Sequence, residues 1–192
     1  MEYMLVAIIG FIAALTPGPD IFFVIRCGLI YGLKKSLLAV LGILTGNIVY
    51  LSLVYLGLGY IGKLDIFQII VGIFGGIYLM ILAFKIFKED ISDISQKIDS
   101  NNIYLSALML NLSNPKAMLF FSIIITPFIN GNLINCLFSL FIGIALAFLL
   151  ASILSSKISL EINILRIFNK LAAVIFFIFS IKLFQTALFH LF

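Results

Sequence analysis

Charge is scarce in this chain: only 10% of its 192 residues are Asp, Glu, Lys or Arg, against about 25% in soluble domains. That shortage excludes an ordinary water-facing surface. Hydrophobic residues make up 64% of the chain and the mean hydropathy is +1.28, so the excess apolar area has to face lipid. Histidine is nearly absent as well. The single His190 lies near the C-terminus with no Cys, Asp or Glu at ligand spacing, which leaves it an interfacial side chain and gives no metal site. Cys27 and Cys136 are the only cysteines, and the topology below sets them at opposite faces, about a ~30 Å bilayer core apart, too far for one disulfide. The chain has no P-loop, no H-E-x-x-H, no second intramembrane carboxylate to pair with Asp20, and no cysteines placed to exchange electrons. ATP hydrolysis, intramembrane proteolysis and thiol-disulfide chemistry therefore lack their residues, and no cofactor is called for. The net charge of +4 is not gathered into a basic run interleaved with aromatics, so nucleic acid is not a partner.

What the chain does have is long apolar runs. Six stretches approach the roughly 20 residues a span requires: 4–25, 37–58, 66–87, 103–128, 133–153 and 167–189. They are continuous rather than alternating, which points to helices and away from a β-barrel. An all-α integral membrane protein with six transmembrane helices is expected, the lipid bilayer being its first partner. Glu2 stands where a signal peptide would carry basic charge, and no convincing cleavage site follows, so the first stretch reads as a retained span.

Loop charges orient the bundle. Arg26, Lys34 and Lys35 follow the first span, Lys85, Lys88 and Lys97 the third, and Lys157, Arg166 and Lys170 the fifth, while the other side has Lys63, with Lys182 near the outer end of the last span. The positive-inside rule puts the nine in the cytosol and both termini outside, in the cell (inner) membrane. The polar segment "KEDISDISQKIDSNN" then reads as a cytosolic linker, 88–102, between repeat one, 1–87, and repeat two, 103–192. Three spans being odd, the second repeat enters the membrane inverted, as in many secondary transporters. "TPGPDIFF" (Thr16–Phe23) and "NPKAMLFF" (Asn114–Phe121) align a capping residue, a proline and a Phe-Phe pair at one constant offset.

Those two stretches also break their spans. Pro17 and Pro115 lack an N–H and push the preceding residue out of the α region. Thr16 and Asn114 precede them as N-caps, so each span reads as two half-helices, the second starting inside the bilayer. Lipid cannot satisfy backbone freed there, so broken helices 1 and 4 must be buried in protein or face a water-filled cavity. The candidate site is what the breaks bring to mid-membrane: Thr16, Pro17, Gly18, Pro19, Asp20, Asn111, Asn114, Pro115 and Lys116, joined by Asn47 from "GILTGN". Asp20 alone of the eight acidic residues falls inside a span, which makes it a functional candidate or a complement to the helix dipole. Lys116 opposes its helix dipole and needs a partner; pairing with Asp20, snorkelling and contact with substrate all remain open. Asn47 either lines the cavity or hydrogen-bonds another helix, while the neighbouring glycines allow close packing.

"TPGPD", "GLKKSLLAVLGILTGN", "GGIYLMILAFKIFK" and "NLSNPKAMLFF", in this order over about the first two thirds of the chain, resemble the lysine exporter (LysE/RhtB-type) family of amino-acid exporters. The resemblance implies a secondary active transporter that exports amino acids or close analogues, coupled to the proton motive force with H+ as coupling ion. It leaves a homo-oligomer open. A divalent-cation exporter of the cadmium type, from the same superfamily, is the alternative. The last two spans depart from the pattern, with Ala172, Ala173 and Ser180 where the family tends to glycine.

Overall fold

The computed structural model describes residues 2–56, 64–88, 100–114, 117, 120–121 and 133–190. Among these, seven helices and no strands are found: α1 (Glu2–Leu15), α2 (Pro19–Tyr31), α3 (Leu33–Tyr55), α4 (Asp65–Lys88), α5 (Ser100–Leu112), α6 (Leu133–Lys157) and α7 (Ile162–Phe189). Four of them, α3, α4, α6 and α7, are long and apolar enough to cross a membrane, and α1 with α2 meets the same measure only as a pair bent by 68°, the geometry of a broken span or a re-entrant loop. The all-helical membrane fold expected from composition is therefore present. Of the fourth expected span, 103–128, α5 supplies the first part; Pro115, Lys116 and nearly all that follows lie outside the described residues, as do Lys63 and most of the 88–102 linker.

Each long helix buries one stripe and leaves the rest apolar. On α3, Ala39, Ile43, Gly46, Asn47 and Tyr50 are buried at helical spacing, while Leu41 and Ile48 on the far side are exposed. Exposed Phe74, Phe138 and Ile167 have the same meaning on α4, α6 and α7: the outer surface is made for hydrocarbon.

Apolar side chains gain nothing from leaving lipid for one another, so helix contacts depend on close packing of small residues. A Cβ on Gly42 would strike the carbonyl of Tyr104 on α5, and one on Gly143 of α6 the carbonyl of Ala7 on α1. Gly72 of α4 lies against Ala187 of α7, and Ser180 Oγ donates to the Gly76 carbonyl at 2.9 Å. Ala172, Ala173 and Ser180 are all buried, so the departures from glycine in the last helix keep the small-residue character this packing needs. The main pairings are α4 with α7, α1 with α6, and α3 with α5.

Both cysteines are buried. Gly28, next to Cys27, abuts Ser155 near the end of α6, while Cys136 lies in its first turn; the 19 helical steps from Cys136 to Ser155 rise about 28 Å at 1.5 Å each. One residue, Gly32 at φ 78°, separates α2 from α3, and its N–H closes α2 on the Gly28 carbonyl at 3.2 Å.

Candidate functional site

The first break lies one step later than the sequence suggests. The expectation of Thr16 as N-cap with Pro17 opening the half-helix is corrected: Thr16 Oγ1 donates back to the Ala13 carbonyl at 2.5 Å, closing α1, and Gly18 is the N-cap of α2 with Pro19 in its first position. Both prolines meet the first-position rule. The second wins because extended Gly18 offers its carbonyl to the N–H of Phe22 at 3.2 Å. Asp20 thus falls in the first turn of α2, where a negative charge complements the helix dipole.

Of the second expected break only the approach is described, since Pro115 and Lys116 lie outside the described residues. α5 ends at Leu112, with Ser113 N–H on the Met109 carbonyl at 2.9 Å and Asn114 N–H on Asn111 at 2.9 Å. Terminal carbonyls of a helix need outside donors. Tyr50 supplies one from α3, its hydroxyl donating to the Leu112 carbonyl at 2.7 Å. Tyr50 was not anticipated, although it stands three residues after Asn47 and so on the same helical face. The Asn114 amide nitrogen turns across the bundle to Asp20; whatever half-helix follows Asn114 lies outside the described residues.

The two breaks meet at Asp20. Asn111 Nδ2 and Asn114 Nδ2 both donate to Asp20 Oδ2 at 2.9 Å, and Asn111 Nδ2 also reaches Asn47 Oδ1 at 3.0 Å. All four side chains are buried, Asp20 most exposed at 8%. Asn47 does both things left open for it: it binds a neighbouring helix and lines the cleft. Gly46 is needed beside it, because a Cβ there would displace the Asn111 amide. The cleft beside Asp20 has a volume of about 40 Å³, and Thr16, Gly18, Asn114, Phe120, Phe121 and Phe148 are among its walls. At ~10–15 Å³ per water, that holds only a few waters. Phe121 stacks on Tyr50 at 6.0 Å and meets Phe120 edge-on at 5.6 Å. Pro17 is exposed at the bend; Pro115 and Lys116 lie outside the described residues.

Two residues differ from their sequence reading. Arg26, taken for a loop charge after the first span, lies inside α2 and is 3% exposed. Its Nε donates to Asn169 Oδ1 at 2.6 Å, a terminal nitrogen donates to the Tyr31 hydroxyl at 2.8 Å, and its guanidinium sits 5.1 Å from the Tyr31 ring centre. Asn169 in turn donates to the Ile86 carbonyl at 2.8 Å, tying α7 to α4. His190, expected without an acidic partner, has Asp65 Oδ1 at 2.7 Å from Nδ1, a contact between residues 125 positions apart that spacing could not reveal. No group of three or more His, Cys, Asp or Glu side chains comes together among the described residues.

A bundle of lipid-facing helices in which a carboxylate at the break between α1 and α2 is buried in an amide cluster defines a membrane protein of the transporter type. The chain belongs to the family of LysE type translocators, whose model matches residues 11–186. It is 32% identical to the threonine efflux protein of Salmonella typhi over 69% of this chain and 68% of that protein. Against the threonine efflux protein of Escherichia coli (strain K12) the identity is 30% over the same shares. A leucine efflux protein of Klebsiella pneumoniae subsp. pneumoniae is 34% identical over 62% of this chain and 58% of its own length. No solved structure matches.

Proposed function

We propose that this chain is a secondary active transporter that exports amino acids or close analogues from the cytoplasm, driven by the proton motive force. One observation carries the reading: a single carboxylate, Asp20, buried at a helix break, oriented by Asn111 and Asn114 from the other broken helix, and facing a cleft. Ion-coupled sites at broken helices near mid-membrane are built this way. The family, and relatives named for threonine and leucine efflux, supply the substrate class.

The mechanism follows from one carboxylate serving two cations. Ionised Asp20 receives the substrate ammonium; protonated Asp20 does not. Proton and substrate therefore exclude each other at Asp20, and such exclusion converts a proton gradient into export. The substrate carboxylate meets Lys116 and the N–H groups of the half-helix that begins near Pro115, since helix N-termini receive anions. The cleft's few waters have to give way to a whole amino acid, so binding requires the two breaks to part.

The alternating-access frame is a pair of inverted three-helix repeats, 1–87 and 103–192, in the inner membrane with both termini outside. Exchanging the repeats turns the α1–α6 pairing into α5–α3 and leaves α4–α7 unchanged, which the packing respects. The close contacts of Gly42 on Tyr104 and Gly143 on Ala7 exchange in the same way. No observation favours the divalent-cation alternative. Efflux of a panel of preloaded amino acids from cells with and without the protein tests the proposal; equal efflux of every amino acid in both would sink it.

A further inference from the structure

The amide cluster at Asp20 leaves little room, but elsewhere on α2 there is much more. A cavity of about 510 Å³ lies beside Arg26, within the range of ~300–1,000 Å³ usual for small-molecule sites. Arg26, Lys85 and Lys88 stand around it with Tyr31, Asn102 and Ser106, and no carboxylate lines it among the described residues. Apolar Phe23, Leu82 and Ile103 complete its wall.

Arg26 differs from the usual cation at the edge of a membrane. It is buried, and Asn169 and Tyr31 fix its plane from two sides. An Arg held in one orientation has less entropy to lose on meeting a carboxylate than a mobile lysine has. Lys85 and Lys88 are exposed at the end of α4 and add charge without occupying the cavity's depth. Arg26 is six residues beyond Asp20, about 9 Å along the axis of α2. One α-amino acid cannot bridge that gap with its ammonium and carboxylate.

We propose that this cavity is a second binding site, an oxyanion vestibule at the basic end of the bundle that takes the substrate's carboxylate before its ammonium reaches Asp20. Only the source of the carboxylate rests on the amino-acid reading above. The vestibule has room for an amino acid in the conformation where the Asp20 cleft does not, so substrate waits there until the breaks part. Its apolar wall suits a neutral side chain, and its three cations repel a cationic one.

The two sites are separable with half-ligands. N-acetyl-leucine keeps the carboxylate and lacks the ammonium; leucinamide keeps the ammonium and lacks the carboxylate. Equilibrium binding of each to the purified full chain is measured for wild type, Arg26→Gln, the exposed pair Lys85→Gln/Lys88→Gln, and Asp20→Asn. N-acetyl-leucine binding should weaken roughly fivefold or more in Arg26→Gln, and less in the lysine pair as exposed charges do, with Asp20→Asn unchanged. If N-acetyl-leucine fails to bind wild type, or binds all the basic variants as well as wild type, the vestibule is overturned. So it is if binding is lost only in Asp20→Asn, since the carboxylate then sits at the breaks. Because Arg26→Gln can loosen the α2–α7 tether, the lysine pair decides in the event of misfolding: unchanged affinity there overturns the site. Leucinamide reports on the other reading alone: its binding should depend on Asp20 and not on the basic residues.

Discussion

Asn111 on α5 and Asp20 on α2 are 91 residues apart and joined by a single 2.9 Å hydrogen bond that links the two broken regions of the chain. Because Asn111 Nδ2 is shared with Asn47, three helices converge on one amide.

Replacing Asn111 with leucine should remove both bonds and leave a buried carboxylate with one fewer donor. A hydrogen bond to a charged group contributes about 1.5–3 kcal/mol, so unfolding in detergent should shift by that order. A midpoint equal to wild type would mean that the amide orients Asp20 without stabilising the bundle.

Asp20→Asn keeps the size of the side chain and removes its titration. Gradient-driven efflux should vanish while the protein stays inserted, because the carboxylate that receives both the proton and the substrate ammonium is lost. Efflux that keeps the wild-type pH dependence in this variant would reduce Asp20 to a complement of the α2 dipole.

Lys116→Met addresses the other end of the zwitterion. Wild type should discriminate strongly against decarboxylated amines, and the variant should lose that discrimination. Unchanged selectivity would make Lys116 a tether between the repeats.

Gly143→Val should be poorly tolerated, since its new Cβ runs into the backbone carbonyl of Ala7; overpacking of this kind costs about 1–3 kcal/mol. Gly75→Ala is the milder comparison, with its nearest contact at Ser113 at 3.0 Å. Equal thermal midpoints for the two variants would mean that α1 and α6 separate at little cost.

Cysteine labelling in intact cells checks the orientation. A probe near Lys63 should react from outside and one near Asn102 should not; equal reaction at both would remove the inverted repeat along with the topology.

Much of the fold was legible because hydrocarbon imposes simple rules. Apolar runs of about twenty residues became α3, α4, α6 and α7, with ends shifted by a few residues. The first break was legible because a proline after a capping residue is rare inside such runs, although Pro17 and Pro19 compete for the same role and only the backbone of Gly18 separates them. Asp20, Asn47, Asn111 and Asn114 stood out singly as polar residues in apolar surroundings. Their convergence did not, because it depends on how α3 and α5 cross α2. Arg26 was misread for a related reason: a cation near the end of a span is usually a loop charge, and its burial under Asn169, 143 residues away, has no local signature.

Helix α2 is joined to the rest of the chain by non-helical residues at both ends, Thr16–Gly18 and Gly32. Thirteen residues make it a stiff arm about 20 Å long. The short joint at Gly32 has a φ that other residues rarely adopt, and a Cβ there would meet nothing within 4 Å, so the pivot is special in angle and unobstructed in space. Tilting this arm by about 10° around Gly32 swings Asp20, twelve residues out, by roughly 3 Å, and Arg26, six residues out, by about half that. The first displacement is as long as the bonds from Asn111 and Asn114 that it would sever. Leverage along one short crank therefore lets a slight angular change release the carboxylate while the guanidinium travels only half as far.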